Sequence, residues 1–173
     1  MAIYKIFGFL LIVLTITSCN QSQNDTSKYK EQNPKQEMEI DKAQGVITKV
    51  SSQNFEDTYN TLVEIITNNP NLKIVAQLDH QANAASVGLE LNPTRVIMFG
   101  NPKLGTPLMQ NSQITGLDLP QKVLVWQDDE GVVKVSYNDP EFLRLRHDIN
   151  GNENILQTIT KALDNISKGA AAL

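Results

Sequence analysis

Two amphipathic helical stripes, one near each end of the foldable part of the chain, enclose a run of alternating segments. That arrangement constrains the fold more than any other feature of the sequence. In the first stripe Phe55, Tyr59, Leu62, Val63 and Ile66 recur with the period of a helix face. Asn54 can cap this helix, Asp57 suits the positive end of its dipole, and Asn68-Asn69-Pro70 ends it. The second stripe, Ile155, Ile159, Ala162, Leu163 and Ile166, predicts a helix over Glu153 to Ser167. A first strand is predicted over Gly45 to Val50, with Val46, Thr48 and Val50 on one side. Leu72 to Asp79 alternates, placing Leu72, Ile74, Ala76 and Leu78 against Lys73, Val75, Gln77 and Asp79. Arg95 to Phe99 reads as a third strand. Lys122 to Gln127 and Val132 to Tyr137 form a hairpin through Asp128-Asp129-Glu130-Gly131. Asp139-Pro140 opens a short helix. The order is strand, helix, four strands with short excursions, helix. It predicts a single α+β domain: a mainly antiparallel sheet with helices packed on one face.

The N-terminus reads as an address. Lys5 supplies a positive charge, Ile6 to Ile16 an almost unbroken apolar run, and Thr17-Ser18 two small residues. The apolar run spans roughly 16 Å as a helix, about half the hydrocarbon core, and so is too short for an ordinary membrane span. Ile16-Thr17-Ser18-Cys19 resembles the bacterial lipobox, in which the chain is cut before the cysteine and the thiol receives a diacylglycerol. The expectation is a signal peptide over residues 1–18 and a lipidated Cys19 carrying acyl chains such as palmitate. The alternative is an ordinary signal peptide with a free thiol at the cut. Residues 20–37 are rich in Gln, Asn, Ser, Lys and Asp, a composition too polar to offset chain entropy, and form a flexible tether. Folding is expected to begin at residue 38 and to run to 173. The localisation that follows is the bacterial cell envelope, with the lipid as the membrane contact.

Composition removes several function classes. The 15 Lys and Arg against 19 Asp and Glu leave a net charge of −4, with no excess to neutralise nucleic-acid phosphates. Loss of Lys5 with the leader makes the mature chain more acidic, so headgroup attraction cannot replace the lipid. One cysteine excludes disulfide frameworks and cysteine zinc sites. No phosphate loop, Gly-x-Ser-x-Gly elbow or haem-attachment motif occurs. The two histidines lack metal-ligand spacing, and neither a metal nor a cofactor is expected.

Several segments together carry a family resemblance. They are Asp79-His80 with Ala82 and Ala84-Ala85; Pro93-Thr94-Arg95 leading to Phe99-Gly100-Asn101-Pro102; Gly105-Thr106-Pro107-Leu108-Met109; Asp118-Leu119-Pro120 with Lys122 to Trp126; and Tyr137 through Arg146-His147. In this order, from about Gln44 to Ile166, the chain resembles the bacterial family called domain of unknown function 302. The resemblance implies an arrangement similar to that of the TATA-binding protein, without implying DNA binding, and a homodimer. It supplies no activity.

The candidate ligand-binding residues are Asp79, His80, Arg95, Asn101, Arg146 and His147. Imidazoles at His80 and His147 could act as acid, base or ligand; alternatively Asp79 caps a short helix and His80 fills a groove. Arg144, Arg146 and His147 suit a helix C-terminus, or could clamp an anion or carboxylate. Gly100 would permit an unusual backbone angle, Asn101 would start a turn, and Thr106-Pro107 would open a helix. Met98, Met109 and Trp126 read as core. The favoured function is a small-ligand binding or sensing module on a lipid tether. The alternatives are an enzyme using His80 or His147, and a non-catalytic interaction subunit.

Overall fold

Row by row, the sheet explains which side chains meet the helices. In this computed structural model, residues 40–41 and 45–173 are described. The leader, Cys19, the tether and the domain start at 38 therefore lie outside the described residues. Six strands are ordered β1-β2-β6-β5-β4-β3, and every neighbouring pair is antiparallel. They are β1 (Ile40–Asp41), β2 (Val46–Val50), β3 (Lys73–Asp79), β4 (Thr94–Gly100), β5 (Gln121–Gln127) and β6 (Val133–Asn138). The helices are α1 (Phe55–Thr67), α2 (His80–Ser86), α3 (Pro102–Asn111), α4 (Pro140–Arg146) and α5 (Glu153–Ala171), with a 3-10 turn over Gln113–Leu117. The expected strand, helix, four strands and helix are all present. The two-residue β1 adds an edge strand too short to leave a periodic signal.

One register row runs Ile47–Tyr137–Val123–Ile97–Gln77 across five strands, and the next runs Lys49–Val135–Val125–Arg95–Asp79. Leu62 and Ile66 of α1, with Ile159, Leu163 and Ile166 of α5, close over these rows to form the core. Val46, Thr48 and Val50 share one side of β2, as expected, and it is the opposite side that meets the helices. Ile47 and Lys49 are buried, whereas Val46, Thr48 and Val50 are half-buried on the other face. Pairing with β6 decides the matter, because Tyr137 and Val135 already face the helices.

The expected alternation of β3 is broken. A bulge between Ile74 and Ala76 shifts the register, so Ile74 and then Gln77 and Asp79 pair with the helix-facing residues of β4. Tyr59 Oη donates to Gln77 Oε1 at 2.8 Å, while Leu78 remains 38% exposed. α5 runs four residues past its expected end at Ser167. Gly169 does not stop it; a side chain there would meet Ile65 of α1, so the glycine permits a close helix crossing.

The helix starts are local and were legible. Asn54 accepts from the Asp57 amide, Asp79 from Ala82 and Asp139 from Glu141. α3 is the exception: it begins at Pro102, capped by Asn101, whose Oδ1 accepts from the Lys103 amide at 2.9 Å. Pro107 consequently lies inside the helix and not at its start. Asn-Pro supplies both the cap and a preset first φ, and so wins over the later Thr-Pro. Gly100 shows no left-handed angle; it ends β4 in the sheet, 3.5 Å in Cβ terms from Pro120.

Candidate functional site

The six residues singled out above fall into two clusters and one cap. In the first cluster Arg95 is the hub. Its Nη1 donates to Glu56 Oε2 and its Nε to Asp79 Oδ2, both at 2.8 Å. The guanidinium also lies 5.1 Å from the centre of the Phe55 ring and 5.4 Å from that of Tyr59. Hydrogen bonds to Glu56 and Asp79 hold the Arg95 pKa above its ordinary value. The Ala82 amide and then Arg95 hold Asp79 below the usual carboxylate range. Asp79 thus caps α2 and pairs across β3 and β4 at once. His80, the first residue of α2, is half-buried beside it.

The second cluster joins α4 to the loop before β5. His147 is buried, with Nε2 2.5 Å from Asp118 Oδ2, and Arg146 Nη1 lies 3.3 Å from the same oxygen. The chain's own Asp118 thereby fills the carboxylate clamp expected of Arg146 and His147. Arg144 turns instead to Glu141, donating from Nη2 at 2.7 Å. His80 begins α2, whereas His147 follows α4 and has Asp118 as its partner. Among the described residues no three His, Cys, Asp or Glu side chains gather as a metal site would require.

At the Phe99 end of β4 the helix-facing side of the sheet opens into a cleft of about 280 Å³. Its walls come from the ends of β3 and β4, from α3, from the loop entering β5, and from α5. Phe99, Met109, Leu119, Ile159, Leu163 and Ile166 make it predominantly apolar. Asn101 is the only one of the six candidates in its lining. Two wider depressions, one beside residues 51–57 and one beside residues 89–94, contain none of the six.

Sequence reasoning missed the cleft because it searched for titratable groups, and the cleft has few. Among the described residues Lys73 is the one charged member of the lining, and it is exposed. A signal was nevertheless present. Phe99 to Pro102, Gly105 to Met109 and Leu119-Pro120, three of the segments that carry the family resemblance, each supply part of one wall. Chemically the cleft can hold an apolar body out of water; its lining offers no acid–base pair.

An antiparallel sheet with covering helices and an apolar cleft along its helix-facing side define a small α+β domain. The chain belongs to the family described as "Domain of unknown function DUF302", whose match covers residues 47–166. The crystal structure of an uncharacterized conserved DUF302 protein from Bacillus stearothermophilus superposes with a TM-score of 0.65. At 20% identity it covers 73% of this chain and 98% of that one, which bears on the fold alone. Among curated proteins, "Fluoride-specific ion channel FluC 1" of Brucella suis is 34% identical over 128 residues, 73% of this chain and 50% of that protein. "Fluoride-specific ion channel FluC 2" of Brucella melitensis is 34% identical over the same length, 47% of that protein. The chain therefore spans about half the length of the curated relatives it matches. No helix among the described residues is long and apolar enough to cross a membrane.

Proposed function

We propose that this chain is a cell-envelope lipoprotein whose domain binds a small, largely apolar ligand in the cleft. The observation that carries the reading is the convergence of three family-matching segments on one apolar cavity that the core leaves unfilled. The lipid on Cys19 and the polar tether would hold that cleft beside a bilayer, where apolar compounds concentrate. The homodimer implied by the resemblance belongs to the same reading, and sedimentation of the domain at several concentrations tests it. The anchor is tested separately: Cys19→Ser should move the chain from the membrane to the soluble fraction, and an unchanged distribution would remove the lipoprotein assignment.

The cleft is tested on residues 38–173. One solved relative consists almost wholly of this fold, so the fold stands as a chain of its own. Ligand at about a hundred times its Kd adds about 2.7 kcal/mol of stability, a large shift in Tm for a domain of this size. Small apolar compounds should raise Tm and perturb the resonances of Phe99, Leu163 and Ile166. If none does either at high excess, the cleft is only a packing defect.

One observation favours a second reading, in which the domain is a non-catalytic companion of a transport protein. Curated relatives named as fluoride channels match across about half of their length, and no described helix here is long and apolar enough to cross a membrane. Loss of this chain would then alter fluoride tolerance, and an unchanged growth curve across fluoride concentrations would remove this reading.

A further inference from the structure

The cleft is not uniformly apolar: beside Lys73, Asn101 and Thr106 its lining includes Gln121, the buried polar residue among them. Gln121 opens β5 and is 8% exposed, so more than nine-tenths of the residue is out of solvent. In the register it stands beside Phe99, which in turn stands beside Ile74, on the helix-facing side of the sheet. The cleft begins at this row, and Gln121 is part of its lining. No hydrogen bond ties its side-chain amide to another described residue, and Thr115 Oγ1 is the one fully enclosed side-chain polar atom without a partner among them, so the Gln121 amide keeps contact with the open space of the cleft. The neighbouring walls, built from Phe99, Leu163 and Ile166, have no side-chain group that could make such a bond.

A primary amide carries two N–H donors and a carbonyl acceptor, and one that opens onto an otherwise apolar cleft is available to pair with what enters it. We infer that Gln121 is the polar recognition point of the cleft and that the ligand carries a neutral amide or undissociated carboxylic acid on an apolar body. This inference rests on the cleft being a ligand site, as proposed above. An amide or acid presents an acceptor and a donor side by side and so meets the carbonyl and one N–H of Gln121 together. An ionised carboxylate fits poorly. It would be buried without a cation, since Lys73, the one cationic residue of the described lining, is exposed. The volume of about 280 Å³ sets the size. At roughly 30 Å³ for each water-sized group, it admits about nine non-hydrogen atoms.

Three probes of that size separate the possibilities: heptanamide, heptanoate and n-propylbenzene, titrated into residues 38–173 by calorimetry or by NMR shift. Propylbenzene binding reads the cleft alone. The ratio of heptanamide to propylbenzene affinity reads Gln121, because hydration of the free ligands cancels when wild type and variant are compared. Gln121→Leu should lower that ratio about tenfold, and heptanoate at neutral pH should bind more weakly than heptanamide. Heptanamide should also displace the side-chain N–H₂ resonances of Gln121 in the wild type, a reading that does not depend on how the variant folds. If propylbenzene binds but the ratio is unchanged in Gln121→Leu, or those resonances do not move, Gln121 has no such role and the cleft survives as a purely apolar site. If none of the probes binds, the cleft reading falls with it.

Discussion

Nε2 of His147, at the end of α4, lies 2.5 Å from Oδ2 of Asp118, and this contact ties two loops 29 residues apart in sequence to one point. Asp118 immediately precedes Leu119 and Pro120, which wall the cleft. The histidine therefore bears on the cleft through the loop it holds, without lining the cavity itself.

His147→Ala should destabilise the domain by about 1–3 kcal/mol, because Asp118, whose side chain is only 12% exposed, loses its closest partner and keeps only the longer contact to Arg146. Binding of apolar probes should weaken in the same variant as the wall formed by Leu119 loosens. Urea denaturation and probe titration read the two effects. Lost stability with unchanged affinity would reduce the contact to a clip between loops.

Lys49 is the buried cation of the core. Its side chain is 2% exposed, its Nζ lies 3.0 Å from Asp164 Oδ1, and it donates to Ser167 Oγ at 2.8 Å and to Tyr137 Oη at 3.2 Å. Lys49→Ala should cost about 3–5 kcal/mol, combining a cavity with broken polar contacts. Lys49→Met should cost distinctly less: it refills the volume, and Asp164 still has Lys168 at 2.8 Å. Equal losses for the two variants in urea melts would show that the charge, and not the volume, dominates.

Acid should act in part through Asp164, together with Asp79, whose carboxyl is likewise held low. Burial raises the Asp164 pKa, but hydrogen bonds from Lys168 and Lys49 outweigh this and leave it below the ordinary 3.8. A carboxylate depressed on folding contributes stability that is present above its unfolded pKa and lost as pH falls through the folded one. Stability measured from pH 6 downward should therefore fall below about pH 4, and Asp164→Asn should flatten that part of the curve. A parallel fall in both proteins would place the acid sensitivity elsewhere.

Gly45 and Gly169 should respond differently to alanine. Gly45 has φ +65°, and a Cβ there would fall 2.1 Å from Cγ of the Phe142 ring, so Gly45→Ala meets both strain and a rigid obstacle. A loss of about 2 kcal/mol or more is expected. At Gly169 the Cβ would fall 2.8 Å from Cδ1 of Ile65, a flexible tip, and alanine favours the helix. Gly169→Ala should stay within about 1 kcal/mol of wild type, while Gly169→Leu should lose about 1–3 kcal/mol by forcing α1 and α5 apart. Thermal melts of the three variants would show the order.

The strands, the helices and most of the caps could be read from the chain because each is a local matter. Phe55 to Ile66 announces a helix face, Asn54 and Asp139 announce its kind of start, and Asp128 to Gly131 is a turn in any context. The α+β class follows from the order of those elements, and the family from the particular segments that match it between residues 47 and 166. Which face of β2 is buried, and hence that Lys49 lies in the core, follows from its pairing with β6, to which local alternation is blind. The separation of His80 from His147, the answer of Asp118 to Arg146, and the meeting of β4, α3, the loop at Pro120 and α5 around Gln121 are likewise tertiary outcomes. Side chains far apart along the chain are brought together by sheet register and helix docking, and no periodicity within one segment records where its neighbours will lie.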